Sequence, residues 1–107
     1  MERFVERTLL YDFYGELLTK RQQEIYESVV LEDYSLSEVA EDQHVSRQSI
    51  HDMVRRCDKI LEGYEERLHL VEKFLTIRDK IAQVETLAVE LGAEKILRIC
   101  KEIQGEL

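Results

Sequence analysis

Apolar residues recur at helical spacing along most of the chain, and this pattern predicts its elements. In residues 2–18, four of them stand at intervals of four: Val5, Leu9, Phe13 and Leu17. That interval predicts an amphipathic first helix that runs to about Leu18. Thr19 and Gln22 then form a Thr-x-x-Gln capping box, which predicts a second helix ending near Glu32.

Residues 34–56, YSLSEVAEDQHVSRQSIHDMVRR, have the pattern of a helix-turn-helix. Ser35 and Glu38 form a second capping box at the start of a third helix of barely two turns. The turn follows at DQHV, and Ser46 is placed to cap a fourth helix. Five apolar residues are expected to fix the angle between the third and fourth helices. They are Val39, Ala40, Val45, Ile50 and Val54. The segment therefore predicts a reading helix from Ser46 to Lys59.

The turn lacks the glycine that many helix-turn-helix motifs have there. His44 stands where the backbone often requires a positive φ, a conformation that histidine tolerates better than most residues. We therefore expect a modest backbone strain at His44.

The same register points polar residues of the fourth helix outward. These residues are Arg47, Gln48, Ser49, His51, Asp52, Arg55 and Arg56. Arg47 has the chemistry to bind guanine with two hydrogen bonds and Gln48 to bind adenine, whereas the carboxylate of Asp52 opposes a polyanion. The outer face of any packed helix is polar, so these side-chain types leave open whether the face reads nucleic acid or is only solvated.

From Leu70 to Leu91, apolar residues follow three- and four-residue spacing for three heptads, which predicts a helix packed along a partner helix. The heptad positions that would form a dimer interface are Phe74, Ile77, Ile81, Val84, Ala88 and Leu91. Gly92 is placed to end this helix. A last helix is then predicted to bury Ile96, Cys100, Ile103 and Leu107. A hairpin within one chain and a homodimer both satisfy the pattern. We divide the chain into a helix-turn-helix domain, 1–68, and a helical extension, 69–107, as the candidate dimerisation element.

The composition agrees with an all-α fold. The chain of 107 residues has no proline, four glycines and 44% hydrophobic residues, enough for a modest core. Its first ten residues mix acidic and basic side chains, so we expect no signal sequence, no membrane insertion and a cytoplasmic location. Cys57 and Cys100 lie on predicted apolar faces without metal-type spacing and are expected to be buried, reduced thiols.

An enzyme is the function class that the sequence supports least. His44, His51 and His69 lie in unlike contexts, and the chain has no phosphate loop, nucleophile motif or metal-ligand spacing. We therefore predict no catalytic residues, no metal site and no cofactor.

The net charge of −8 works against stand-alone DNA binding. The chain has 23 acidic and 15 basic residues, and no segment of it is a basic tail. Duplex affinity comes largely from cations that neutralise phosphates, so a chain of this charge has little nonspecific affinity for DNA. Specific binding, or binding assisted by a second protein, stays open.

The stretch Leu18 to Leu61, LTKRQQEIYESVVLEDYSLSEVAEDQHVSRQSIHDMVRRCDKIL, resembles region four of sigma factors, whose helix-turn-helix reads promoter elements. The chain is more similar to the small bacterial YlxM family, in which LYDFYGELLTKRQQ, LEDYSLSEVAE, VSRQSIHDMVRR and LEGYEERLHL recur in similar form. This resemblance covers roughly the first two-thirds of the chain. It implies an all-α, sigma-region-4-like helix-turn-helix bundle with a C-terminal helical extension.

The resemblance also implies roles for single residues. Ser46, Arg47, Gln48, His51 and Arg55 correspond to the reading helix, and Lys20 and Arg21 lie near the entrance of the second helix. The chain departs from ordinary sigma-like motifs in His44 and in the acidic third helix, SEVAED.

Two functions follow as expectations from the resemblance, since YlxM proteins are linked to the signal recognition particle by genes that neighbour its GTPase subunit. One is a nucleic-acid-binding regulator, in which two copies pair through residues 70–107 and present two reading helices to successive major grooves. The alternative is an accessory protein that binds the RNA or the GTPase of the particle and uses the helix-turn-helix as a scaffold. An acidic surface is no obstacle to the second function.

Overall fold

In the computed structural model, which describes residues 2–107, these residues form six α-helices and no β-strand. The helices are α1 (Arg3–Tyr14), α2 (Lys20–Tyr26), α3 (Leu36–Gln43), α4 (Arg47–Leu68), α5 (Leu70–Leu91) and α6 (Glu94–Glu106). A π-helical turn, Glu27–Leu31, extends α2. The prediction of an all-α fold is confirmed.

The described residues divide into two compact units, one that ends at His69 and one from Leu70 to Leu107. The first unit contains α1 to α4, and the second contains α5 and α6. Within residues 2–107, no helix has the length and apolarity that crossing a bilayer requires.

Side-chain caps start α2 and α3 as predicted. The Oγ1 of Thr19 accepts a hydrogen bond from the backbone N–H of Gln22 at 3.2 Å, while the Oε1 of Gln22 accepts one from the backbone N–H of Thr19 at 2.9 Å. Ser35 and Glu38 form the same reciprocal pair at 3.1 and 3.2 Å. These bonds satisfy N–H groups that a helix start leaves unpaired, and a cap stabilises a helix by about 1 kcal/mol. Short-range chemistry therefore fixes where both helices begin.

The first helix ends at Tyr14, earlier than predicted, and a 3-10 turn, Gly15–Leu17, follows it. Gly15 is required there because a Cβ atom at this position would lie 2.8 Å from the ring of Tyr11. The side-chain amide of Gln23 donates a hydrogen bond to the carbonyl oxygen of Gly15 at 3.0 Å, which ties the turn to α2.

The predicted apolar face of α1 was wrong. Its buried residues are Leu10 and Tyr14. Three residues of the predicted stripe are instead exposed: Val5, Phe13 and Leu17. The aromatic ring of Tyr14 stacks on that of Tyr64, with centroids 5.9 Å apart, and its hydroxyl donates to Glu65 Oε1 at 2.6 Å. These partners on α4, which lie far away in the sequence, decide which side of α1 is buried.

The core of the first unit lies among its four helices. Its buried hydrophobic residues are Leu10, Tyr14, Leu18, Ile25, Tyr26, Val30, Val39, Ala40, Ile50, Val54, Cys57 and Leu61. The fourth helix continues well past the helix-turn-helix motif, since α4 is 22 residues long. The length of α4 allows it to pack against α1, α2 and α3 in turn.

One carboxylate, that of Asp58, is buried in this core. Arg7 donates two hydrogen bonds to it, from Nε at 3.1 Å and from Nη2 at 2.5 Å, and the Tyr26 hydroxyl donates a third at 2.7 Å. The guanidinium of Arg3 lies 3.4 Å away. Burial, together with the hydrogen bond to Asp58, raises the pKa of Tyr26. Asp58 thus joins α1, α2 and α4 at one point, a role that helical spacing alone did not indicate.

The second unit is a hairpin of α5 and α6 joined at Gly92, whose φ of 65° ends α5 as predicted. Its buried residues are Val71, Ile81, Ala88 and Cys100. Of the four residues predicted to be buried in the last helix, Cys100 is buried, but the prediction was wrong for Ile96, Ile103 and Leu107, which are exposed. Two helices share a single contact seam, so each can bury only a narrow stripe against the other.

The six predicted dimerisation residues divide into two groups. Ile81 and Ala88 are buried within this chain, and Phe74 is half-buried. The remaining three are exposed: Ile77, Val84 and Leu91. The contact of these three exposed residues with a second chain stays a prediction.

Stability is expected to fall as the pH rises above about 9, because Cys57 is a buried free thiol. Burial, followed by the negative charge of Asp58, raises the pKa of Cys57 from 9.0 to about 11. Between these values the unfolded thiol releases its proton while the folded thiol keeps it. The folded state then binds more protons, so the free energy of unfolding, unaffected below pH 9, decreases up to about pH 11.

Urea unfolding followed by circular dichroism over this pH range measures the slope. Burial also raises the pKa of Tyr11 and Tyr26, which act in the same direction at higher pH. Comparing Cys57→Ala with the parent chain isolates the contribution of the thiol to the pH dependence of the free energy of unfolding. The variant is expected to have a shallower slope between pH 9 and 11, and equal slopes would contradict the prediction.

Candidate nucleic-acid interface

The turn between α3 and α4 is built around His44. Its φ of 58° and ψ of 42° are left-handed, as predicted. The N–H of Val45 donates to the carbonyl of Ala40 at 3.0 Å, and the N–H of His44 donates to that of Glu41 at 3.3 Å. These bonds close a helix end at a left-handed residue. A left-handed backbone at a residue other than glycine costs about 1–2 kcal/mol, which is the strain expected here.

The apolar residues predicted to hold the two helices together are buried with one exception. Those that are buried are Val39, Ala40, Ile50 and Val54, whereas Val45 is half-buried in the turn. Ile50 has no exposed surface. The small side chain of Ala40 lets α3 pack against α4, and these buried residues position the first turns of α4.

Ser46 caps the start of α4. Its Oγ accepts a hydrogen bond from the backbone N–H of Ser49 at 3.0 Å, and the hydroxyl oxygens of the two serines are 2.9 Å apart. Both hydroxyls were predicted to contact nucleic acid, but here they bond to each other and to the helix start. Their role in this structure is to fix the end of α4.

The other predicted contact residues lie on the outer side of the first turns of α4. The exposed ones are Arg47, Gln48, Asp52, Arg55 and Arg56. The amide of Gln48 donates to Asp52 Oδ1 at 2.9 Å, and His51 Nδ1 is 3.6 Å from the same oxygen. Gln48 must break its bond with Asp52 before it can pair with an adenine edge.

Lys59 extends this outer side by one turn, although it was not among the predicted contact residues. It lines a shallow depression of about 280 Å³ together with Asp52, Arg55 and Arg56. The neighbouring Asp58 points into the core. Residues 47–59 therefore present four cations and one carboxylate on the surface.

Lys20 and Arg21, the other predicted contact residues, are exposed in the first turn of α2. The second helix packs against α4. The contact of Lys20 and Arg21 with nucleic acid stays a prediction.

The third helix has the opposite charge. Glu38, Glu41 and Asp42 are exposed on it, and its eight residues include no cation. A pocket of about 460 Å³ lies beside it. The carboxylates that line this pocket are Glu24, Glu32, Glu38 and Asp42. The first unit is thus basic along the outer side of α4 and acidic along α3.

Comparisons with known proteins place the chain in a family. Residues 1–102 match the family model UPF0122, described as "Putative helix-turn-helix protein, YlxM / p13 like". A UPF0122 protein of Thermoanaerobacter sp. is 41% identical over 97% of this chain and 92% of its own length. Another, from Desulforamulus reducens, is 44% identical over 96% of this chain and 94% of its own length. A third, from Caldanaerobacter subterraneus, is 48% identical over 77% and 70%.

Proposed function

The chain belongs to the UPF0122 family of YlxM/p13-like helix-turn-helix proteins, and we propose from this premise that it is a nucleic-acid-binding regulator. Its reading helix is the segment Ser46 to Lys59. The family match confirms the resemblance to YlxM proteins that the sequence indicates. The family is described by a helix-turn-helix and not by an enzymatic activity.

The observation that carries the proposal is the separation of charge within the first unit. The outer side of α4 presents four cations on a helix whose inner side is held by Ile50 and Val54. A rigid helix with exposed Arg and Lys side chains is what insertion into a groove requires. The chain as a whole is acidic, but the reading helix is not, and this local charge supports binding of a polyanion at α4.

A regulator of this kind acts as a homodimer, in which each copy presents one reading helix. The partner is DNA or the RNA of the signal recognition particle. The link to that particle rests on the YlxM resemblance.

The second candidate is an accessory protein that binds the GTPase or the RNA of the signal recognition particle. The acidic pocket beside α3 favours this candidate, because carboxylates around a concave surface fit basic elements of a protein partner. In this role the helix-turn-helix would serve as a scaffold for the acidic surface.

Arg47→Ala is expected to weaken nucleic-acid binding by about 5- to 150-fold, because a bidentate contact to a base edge contributes about 1–3 kcal/mol. Fluorescence anisotropy with signal recognition particle RNA, its GTPase subunit and random duplex DNA, at low and physiological salt, measures the affinity for each partner. Binding of nucleic acid is expected to weaken steeply as salt increases.

Arg67→Ala is the matched control, since it removes the same charge from the last turn of α4, roughly 30 Å along the helix axis from Arg47. It is expected to leave the affinity almost unchanged. Equal losses of affinity in both variants, or an affinity that changes neither with salt nor with Arg47→Ala, would refute the proposal of a nucleic-acid-binding regulator. Binding of the GTPase subunit without binding of nucleic acid would support the accessory function instead.

A further inference from the structure

The two helices of the second unit repeat one pattern around a small buried residue. Ala88 is the buried residue of α5 near the turn, and Cys100 is that of α6. Large apolar residues stand at positions −4, −1 and +3 from each of them. They are Val84, Leu87 and Leu91 on α5, and Ile96, Ile99 and Ile103 on α6. We call these six residues the apolar face.

The six residues lie on one side of the hairpin. At 100° per residue, positions −4, +3 and −1 are rotated by about 40°, 60° and 100° from the buried residue, all in the same sense. Because α5 and α6 are antiparallel, the same sense of rotation brings both stripes to the same side of their contact seam. On the other flank, the side-chain amide of Gln104 donates a hydrogen bond of 2.9 Å to Glu85 Oε2, which joins the two helices.

This apolar face is left open to solvent in the single chain. Its residues expose between 40% and 78% of their surface. Contiguous exposed apolar surface on a protein marks an interaction site. The unit that carries it, Leu70 to Leu107, also has few buried residues, and chains below about 40 residues rarely form a stable core alone.

The charge of the second unit indicates which partner covers the face. Residues 70–107 contain six basic and seven acidic side chains, a net charge of −1, whereas residues 1–69 contain nine and sixteen, a net charge of −7. A nearly neutral unit neither attracts a strongly charged partner nor repels another copy of itself. Two antiparallel hairpins with exposed apolar faces can pack as a four-helix bundle around a two-fold axis.

We propose that the apolar face binds the same face of a second copy, so that α5 and α6 of both chains form an antiparallel four-helix bundle. This inference rests on the homodimer of the proposed function and specifies its interface. It differs from the heptad prediction in that α6 supplies half of the contact. Ile81 and Ala88 hold the hairpin of each chain instead of meeting the partner.

The test is the molar mass of the full chain in solution, measured by sedimentation and light scattering. The parent chain is expected to have twice the mass of the 12.7 kDa chain. Ile99→Glu and Leu87→Glu, one on each helix, are expected to increase the dissociation constant of the dimer by about 100-fold or more, because each places a charge in the apolar contact. Val89→Glu is the control, as Val89 is 63% exposed on the opposite flank of α5, and it is expected to stay dimeric.

A monomeric parent chain would overturn the proposal. Dimers that persist in both Ile99→Glu and Leu87→Glu would also overturn it, while leaving a homodimer with another interface. If a variant fails to fold, the melting temperature of the parent chain is measured at several protein concentrations. The melting temperature of a dimer rises with protein concentration, so a constant value overturns the proposal. Nucleic-acid binding is measured separately, so its absence in a dimeric parent would refute the regulator and not the bundle.

Discussion

Asp58→Ala is expected to lower the free energy of unfolding by about 3–5 kcal/mol, the range seen when one partner of a buried ion pair is removed. The side chain accepts two hydrogen bonds from Arg7 and one from Tyr26. Without it, the hydroxyl of Tyr26 is buried without an acceptor and the cation of Arg7 loses its counterion. Domains of this size are stable by only about 5–15 kcal/mol, so the variant is expected to be partly unfolded at moderate temperature.

Chemical denaturation followed by circular dichroism measures the loss. The matched control is Arg3→Ala, which removes the weaker contact to the same carboxylate. Arg3 is 3.4 Å from Asp58 and its side chain is 67% exposed, so we expect a loss below about 1 kcal/mol. Similar losses in the two variants would show that Asp58 is an ordinary surface residue and not the point where three helices join.

The features of this fold that depend on nearby residues were predictable from the sequence. Thr19 with Gln22 and Ser35 with Glu38 set helix starts within four residues, and each box formed as predicted. His44 took the left-handed conformation that the missing glycine implied. In each case the interaction partners lie within one helical turn, where a sequence pattern specifies geometry directly.

The features that depend on distant residues were not predictable. In α1, the stripes that begin at Val5 and at Leu10 both fit a helix, and only the partners of Tyr14 on α4 select the second. The role of Asp58 has the same origin, because Arg7 stands 51 positions away in the sequence. The sequence signal for this role was that Asp58 is a single carboxylate among the apolar positions of α4. For the candidate site, exposure of the reading-helix residues followed from the register, but the bond between Gln48 and Asp52 did not.

The variant Glu41→Lys with Asp42→Lys is expected to tighten nucleic-acid binding by about 10- to 100-fold and to steepen its dependence on salt. Both residues are exposed on α3. In a helix-turn-helix the first motif helix crosses the nucleic-acid backbone, so carboxylates there oppose phosphates that lysines would neutralise. The affinity for random duplex DNA at several salt concentrations measures both effects.

Glu90→Lys with Glu102→Lys is the matched control, because it changes the net charge by the same amount on exposed residues of the second unit. It is expected to change the affinity much less. An equal gain in both variants would mean that net charge alone, and not the position of α3, limits binding.

The variant Glu41→Lys with Asp42→Lys also distinguishes between the two proposed functions. If the acidic side of α3 binds a basic protein partner, reversing Glu41 and Asp42 abolishes binding to the GTPase, because the attraction of that partner for the carboxylates becomes repulsion.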